Sequence, residues 1–186
     1  VHVCGMRALA NYKEPEIARS EQEIIDGWRR ISGRPLQNWH YLCWPDDSTS
    51  APYLFPHVIR DFYRKNRTAT VGTFINGGGN HWPRHHVSLY AWMKVLWNPD
   101  FDVDAATDEF CRRMYGPAAT TVRELVRMQT DCWEKSRWAI LPAGHNVSPR
   151  SIHEESYPRA AVEKMEALLA KARREAARSL FARSAE

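Results

Sequence analysis

The chain has 186 residues, 44% of them hydrophobic and 26% charged, which is long enough and apolar enough for a folded domain with its own core. These values exclude wholesale disorder, and no run approaches the roughly 20 apolar residues of a membrane span. The net charge of +4 is concentrated in the stretch Lys171, Arg173, Arg174, Arg178, Arg183. A solvated helix face accounts for that run, and no basic loop interleaved with aromatics is present, so neither nucleic acid nor membrane is the expected partner.

Three short segments read as strands: Val1–Met6, Trp39–Trp44 and Thr70–Ile75. Each is rich in β-branched or aromatic residues and bounded by Pro, Asp, Asn or Gly. Between the first two, Ile24, Ile25, Trp28 and Ile31 recur at helical spacing over Glu21–Ile31, with Ser20 and Glu23 as a capping box and Gly33 as the stop. Between the second and third, Pro56–Lys65 carries Val58, Ile59, Phe62 and Tyr63 on one side. The order is β-α-β-α-β, and the long crossovers predict parallel strands. After Ile75 comes the loop Asn76-Gly-Gly-Gly-Asn80, and the rest reads as helix. Segments are expected at Val87–Leu96, Asp104–Tyr115, Ala118–Trp138 and Pro158–Ala182, with Leu141–Pro149 as a connection.

Three parallel strands need helices on both faces or closure into a barrel. The chain also begins directly in a strand pattern without Met. The reading is therefore an α/β chain, the C-terminal part of a (β/α)8 TIM-type barrel (residues 1–86), followed by an α-helical region (residues 87–186). The missing N-terminal part of the parent chain is then an expected partner.

The run Leu96-Trp-Asn-Pro-Asp100, Phe101-Asp-Val-Asp104 and Asp108-Glu-Phe-Cys-Arg-Arg-Met-Tyr-Gly-Pro-Ala118 closely resembles a pattern of a large uncharacterised bacterial family. Its members carry a domain-of-unknown-function label and are often linked to α-glucuronidase-like or hexosaminidase-like glycoside hydrolases. The resemblance extends upstream to Trp39-His-Tyr41 and Phe55-Pro56, and downstream to Ser148-Pro149 and Tyr157-Pro158, covering most of residues 12–175. It implies a glycoside-hydrolase-like parent acting on polysaccharide or glycan, with this chain inactive alone. A non-catalytic carbohydrate-binding or scaffold domain on the same fold is the alternative. A periplasmic or secreted location suits such a parent, but the sequence leaves the compartment open.

In a barrel the ligand face lies at the C-terminal ends of the strands. That places Tyr12, Trp44, Asn76, Asn80, His81 and Trp82 as candidate substrate-binding residues, with rings for sugar faces and polar groups for hydroxyls. Glycoside cleavage usually needs two carboxylates. Asp46 and Asp47 are the candidate pair, with ordinary Pro-Asp-Asp-Ser turn chemistry as the competing reading; Glu14 is a weaker candidate. Trp92 and Trp97 read as helix core. His81, His85 and His86 lack metal-ligand spacing, so no metal and no cofactor is expected. Cys4, Cys43, Cys111 and Cys132 read as free thiols, with a Cys4–Cys43 disulfide as the alternative. Two sequons occur, at Asn66 and Asn146.

Overall fold

A computed structural model describes residues 2–3, 9–41, 52, 54–76, 82–135 and 152–183. The chain runs β1 (His2–Val3), a 3-10 turn (Leu9–Lys13), α1 (Pro15–Ser32), β2 (Leu36–Tyr41), α2 (Pro56–Lys65) and β3 (Thr70–Asn76). It continues with α3 (Trp82–Trp97), α4 (Val103–Tyr115), α5 (Ala119–Glu134) and α6 (Arg159–Arg183). A single turn, Gly116–Ala118, links α4 to α5, and a π-helical turn, Ile152–Ser156, precedes α6.

The strands lie in the order β1-β2-β3 and both pairings are parallel, as the alternation predicts. The strands do not form the expected (β/α)8 TIM-type barrel segment. The described residues are mostly helical, and their strands form a small open sheet in which β1 contributes two residues. The result is a helix-rich fold carrying a small parallel sheet, not part of a closed (β/α)8 barrel. Strand–helix alternation dictates parallel pairing through long crossovers, but it says nothing about closure. Closure requires many tilted, staggered strands.

Individual helices follow their local chemistry. Pro56 opens α2, whose bounds are those the sequence predicts. Asp102 caps α4 by accepting the Ala105 N–H at 3.0 Å. Gly33 ends α1 at φ 62°, where a side chain would strain the backbone. Helix α1 starts at Pro15, six residues before the expected Glu21, so Ser20 and Glu23 lie inside it and form no cap. Its apolar pattern also divides. Ile25 is buried, whereas Ile24, Trp28 and Ile31 are exposed.

The main core joins Leu9, Ile25, Leu36, Phe62, Trp92 and Trp133, among others, so it draws on residues before and after position 86. Trp92 is fully buried and its Nε1–H donates to the Tyr63 hydroxyl at 3.0 Å, tying α3 to α2. Trp97, expected in the core, lies at the surface: it is 92% exposed at the end of α3, one turn after the likewise exposed Met93, on the helix face turned away from the core. Cys111 and Cys132 are free thiols, and Cys4 and Cys43 lie outside the described residues. Asn66, in the first sequon, is buried and bonded to Gln22 and to the Phe62 carbonyl, so the folded chain withholds it from glycosylation.

Trp92 and Trp97 therefore separate in a stability measurement. Trp92→Ala is expected to cost about 3–5 kcal/mol, from the cavity and the lost bond to Tyr63. Trp97→Ala is expected to stay within about 0.5 kcal/mol of the parent. Urea unfolding of the three proteins checks both values.

Candidate functional site at the ends of the parallel strands

Alternation along β2 sends Leu36, Asn38 and His40 to the helix-covered side of the sheet, where all three are fully buried. Asn38 donates to Thr70 Oγ1 at 3.0 Å, and Thr73 Oγ1 donates to the Asn38 carbonyl at 3.3 Å. The His40 ring is enclosed by Phe62, Tyr63 and Trp92, with centroids at 5.0, 5.9 and 5.4 Å. Neither ring nitrogen has a hydrogen-bond partner among the described residues. Burial lowers its pKa to about 3, because an imidazolium there would be cut off from solvent.

The opposite side of the sheet carries the partners of this alternation. Trp39 pairs with Phe74 in the parallel register, and their rings meet at 4.5 Å, tilted by 51°. Phe74 is 47% exposed. The register also pairs Tyr41 with Asn76, the last residues of β2 and β3, so the two strands end side by side. A bulge places Val71 between two paired positions of β2 and leaves it on the surface.

The predicted site residues distribute as follows. Asp46, Asp47, Trp44, Asn80 and His81 lie outside the described residues. Asn76 closes β3 and Trp82 opens α3, so the backbone brings both to the borders of the 77–81 connection. Tyr12 sits instead in the helical layer. Its ring packs edge-on to Phe62 at 4.9 Å, and burial together with nearby Glu21 and Asp26 holds its hydroxyl protonated well above the usual phenol range. Glu14 is the N-cap position of α1. Among the described residues no three His, Cys, Asp or Glu side chains come together as metal ligands.

A second polar constellation was not legible beforehand. Helix α2 begins after Phe55, which offers no capping side chain. The cap comes from α5: Glu134 accepts the His57 backbone N–H at 3.0 Å through Oε1 and contacts His57 Nδ1 at 2.8 Å through Oε2. A carboxylate at a helix N-terminus satisfies an orphan donor and complements the helix dipole. His57 Nε2 lies 3.5 Å from Asp104 on α4, and Arg123 on α5 bridges Asp104 and Asp108. His57, Asp104, Arg123 and Glu134 line a groove of about 380 Å³. The hydrogen bond to Glu134 raises the His57 pKa, burial opposes this, and Asp104 adds to the rise. Nearby, Lys13 Nζ donates to the Trp133 carbonyl at 2.6 Å and lies 4.1 Å from the centre of that ring; burial lowers its pKa to about 8 against the pull of Glu14 and Glu134. The only sequence signal was a helix start at Pro56-His57 with no Ser, Thr, Asp or Asn before it.

His40 gives this region a pH signature. Its folded pKa lies below the ordinary 6.5. The unfolded chain therefore binds the extra proton first, and stability falls as pH drops from 6.5 towards about 3. His40→Phe is expected to flatten that acid limb, measured as urea midpoint against pH. An unchanged limb would contradict a neutral, enclosed His40.

No curated protein and no solved structure matches the chain. Residues 1–127, more than half of the sequence, match the family model described as Domain of unknown function (DUF4838), and the chain belongs to that family.

Proposed function

We propose that the chain binds carbohydrate at the C-terminal ends of β2 and β3, as the glycan-contacting part of a glycoside-hydrolase-like protein. The observation that carries this reading is the Trp39–Phe74 pair on the side of the sheet opposite the helices, where Phe74 is 47% exposed, beside the point where both strands end. In open parallel sheets ligands gather outside the carboxyl ends of the strands. Trp44, Asp46 and Asp47 follow Tyr41 within six residues, and Asn80 and His81 follow Asn76 within five. Flat apolar rings suit the faces of a pyranose, and the amide, imidazole and carboxylate groups suit its hydroxyls. The resemblance of the Leu96–Ala118 run to proteins linked with glycoside hydrolases supports the same substrate class.

On this reading Trp39 and Phe74 form the floor of the site, and Trp44 and Trp82 are its further rings. Asp46 and Asp47 are the carboxylates available for acid–base chemistry on a glycosidic bond. Tyr12, held against Phe62, supports the layer beneath. A non-catalytic carbohydrate-binding role is the second reading. It is favoured by the same observation, since the ring pair accounts for binding and not for bond cleavage.

Titration calorimetry against a panel of neutral and acidic oligosaccharides tests the proposal. A bound sugar should lose about tenfold in affinity, equivalent to about 1.4 kcal/mol, in Phe74→Ala. Turnover that disappears in Asp46→Asn or Asp47→Asn while binding persists would select the hydrolase reading; binding without turnover would select the second. Binding that is indifferent to Phe74 and Trp39 would contradict the placement.

A further inference from the structure

We propose that His57 is a pH-responsive latch that fastens the start of α2 to α4 and α5. The inference is independent of the carbohydrate reading.

The geometry singles out this histidine. Its backbone N–H and its ring Nδ1 both engage Glu134, and its Nε2 faces Asp104, so one residue links three helices. An imidazole engaged by carboxylates at both nitrogens satisfies them only as the doubly protonated cation, because the neutral ring has one donor. Loss of the proton leaves a lone pair facing a carboxylate oxygen. The attraction at that contact becomes repulsion, and the helix cap that the same Glu134 provides is weakened with it.

The charged neighbours fit this polarity. From α4 come Asp104 and Asp108, from α5 come Arg123, Arg127, Asp131 and Glu134, and Lys135 follows at the end of α5, all lining or bordering the groove. The 3-10 turn adds Lys13 beside Glu134, and α2 itself adds the Arg60–Asp61 pair. Arg123 is held by Asp104 and Asp108, and Lys135 by Asp131, which leaves Glu134 as the carboxylate closest to the ring. Burial acts to raise the Asp104 pKa, but its bonds to Arg123 and His57 outweigh this and hold it below the ordinary carboxylate range. Asp104 is therefore ionised whenever His57 titrates.

The latch also sits at a strategic place in the chain. Just upstream, the Pro52 carbonyl accepts from the Tyr157 hydroxyl, and the Phe55 N–H donates to Ser88 Oγ at 3.1 Å. Pro52, Phe55 and His57 are thus each held by a separate partner at the entry to α2. Releasing His57 removes one of these holds.

The folded pKa of His57 lies above 6.5, so its contribution to stability is complete below pH 6.5 and fades as pH rises through the folded value. His40 stays neutral throughout that range and does not interfere.

NMR of the intact chain tests the latch. The His57 ring should titrate above 6.5, and Glu134→Gln should move that titration down. Exchange of the His57 amide, corrected for its intrinsic pH dependence, should accelerate severalfold as the ring deprotonates, while the Asn66 amide at the far end of α2 keeps its protection. In His57→Gln the pH-dependent step should vanish; in Lys13→Met, which removes the other group titrating nearby, it should remain. Should Glu134→Gln fail to fold, the wild-type ring titration and exchange profile decide by themselves. A His57 ring that titrates at or below 6.5, or an amide whose protection is constant through the titration, would overturn the proposal.

Discussion

The fold depends on sealing one side of the β2–β3 pair. A parallel pair is stable only when its backbone ladder is protected and at least one face is buried. Here the burial is supplied by α2 and α3, through Phe62, Tyr63 and Trp92 closing on His40. Placing a polar ring at the centre of that seal has a cost, since His40 cannot be charged there. The compensation is geometric. The ring packs like an aromatic side chain among three others, while Trp92 satisfies its own donor on Tyr63 and pins α3 to α2. Once Leu36, Asn38 and His40 are committed to the helix side, alternation leaves Trp39 and its register partner Phe74 no choice but the other side. The candidate ligand face is thus a consequence of how the core is sealed.

Helices α4 and α5 add a second kind of interaction. Their contact with α2 near its start is ionic as well as apolar: Glu134 caps α2, and Asp104, Asp108 and Arg123 extend the network across α4 and α5. Exposed ion pairs contribute little individually. The Glu134–His57 contact differs because it replaces a missing helix cap and is shielded on one side, with the Glu134 side chain only 16% exposed. Two histidines therefore respond to pH in opposite ways. His40 resists acid because its cage excludes charge, and His57 favours acid because its neighbours demand charge.

The sequence revealed elements whose signals are local. Pro56 and the i, i+3, i+4 apolar pattern after it mark α2, Asp102 and Gly116 bound α4, and β-branched and aromatic runs mark the strands. It misled where tertiary packing decides. Ser20 and Glu23 form a capping-box pattern, but Pro15 starts α1 earlier and leaves them mid-helix. Trp97 continues the apolar pattern of α3, yet it shares the outward face of the helix with Met93 and its ring faces solvent. Closure into a barrel was inferred from alternation, a property shared by open sheets. At the candidate site, the end at which β2 and β3 finish together was readable from strand order. The Trp39–Phe74 pairing was not, because it depends on a register that includes a bulge at Val71. The His57–Glu134 contact joins residues 77 positions apart, and no local pattern encodes such a meeting.

We propose that a glycan rests on the side of the sheet that carries Trp39 and Phe74, at the ends of β2 and β3. Backbone-amide chemical-shift mapping with a bound oligosaccharide tests this most directly. Perturbations should centre on Trp39, Tyr41, Phe74 and Asn76 and on the residues that follow the two strands, with the amides of α4 to α6 unmoved. Perturbations confined to α4, α5 and α6, with β2 and β3 silent, would contradict it.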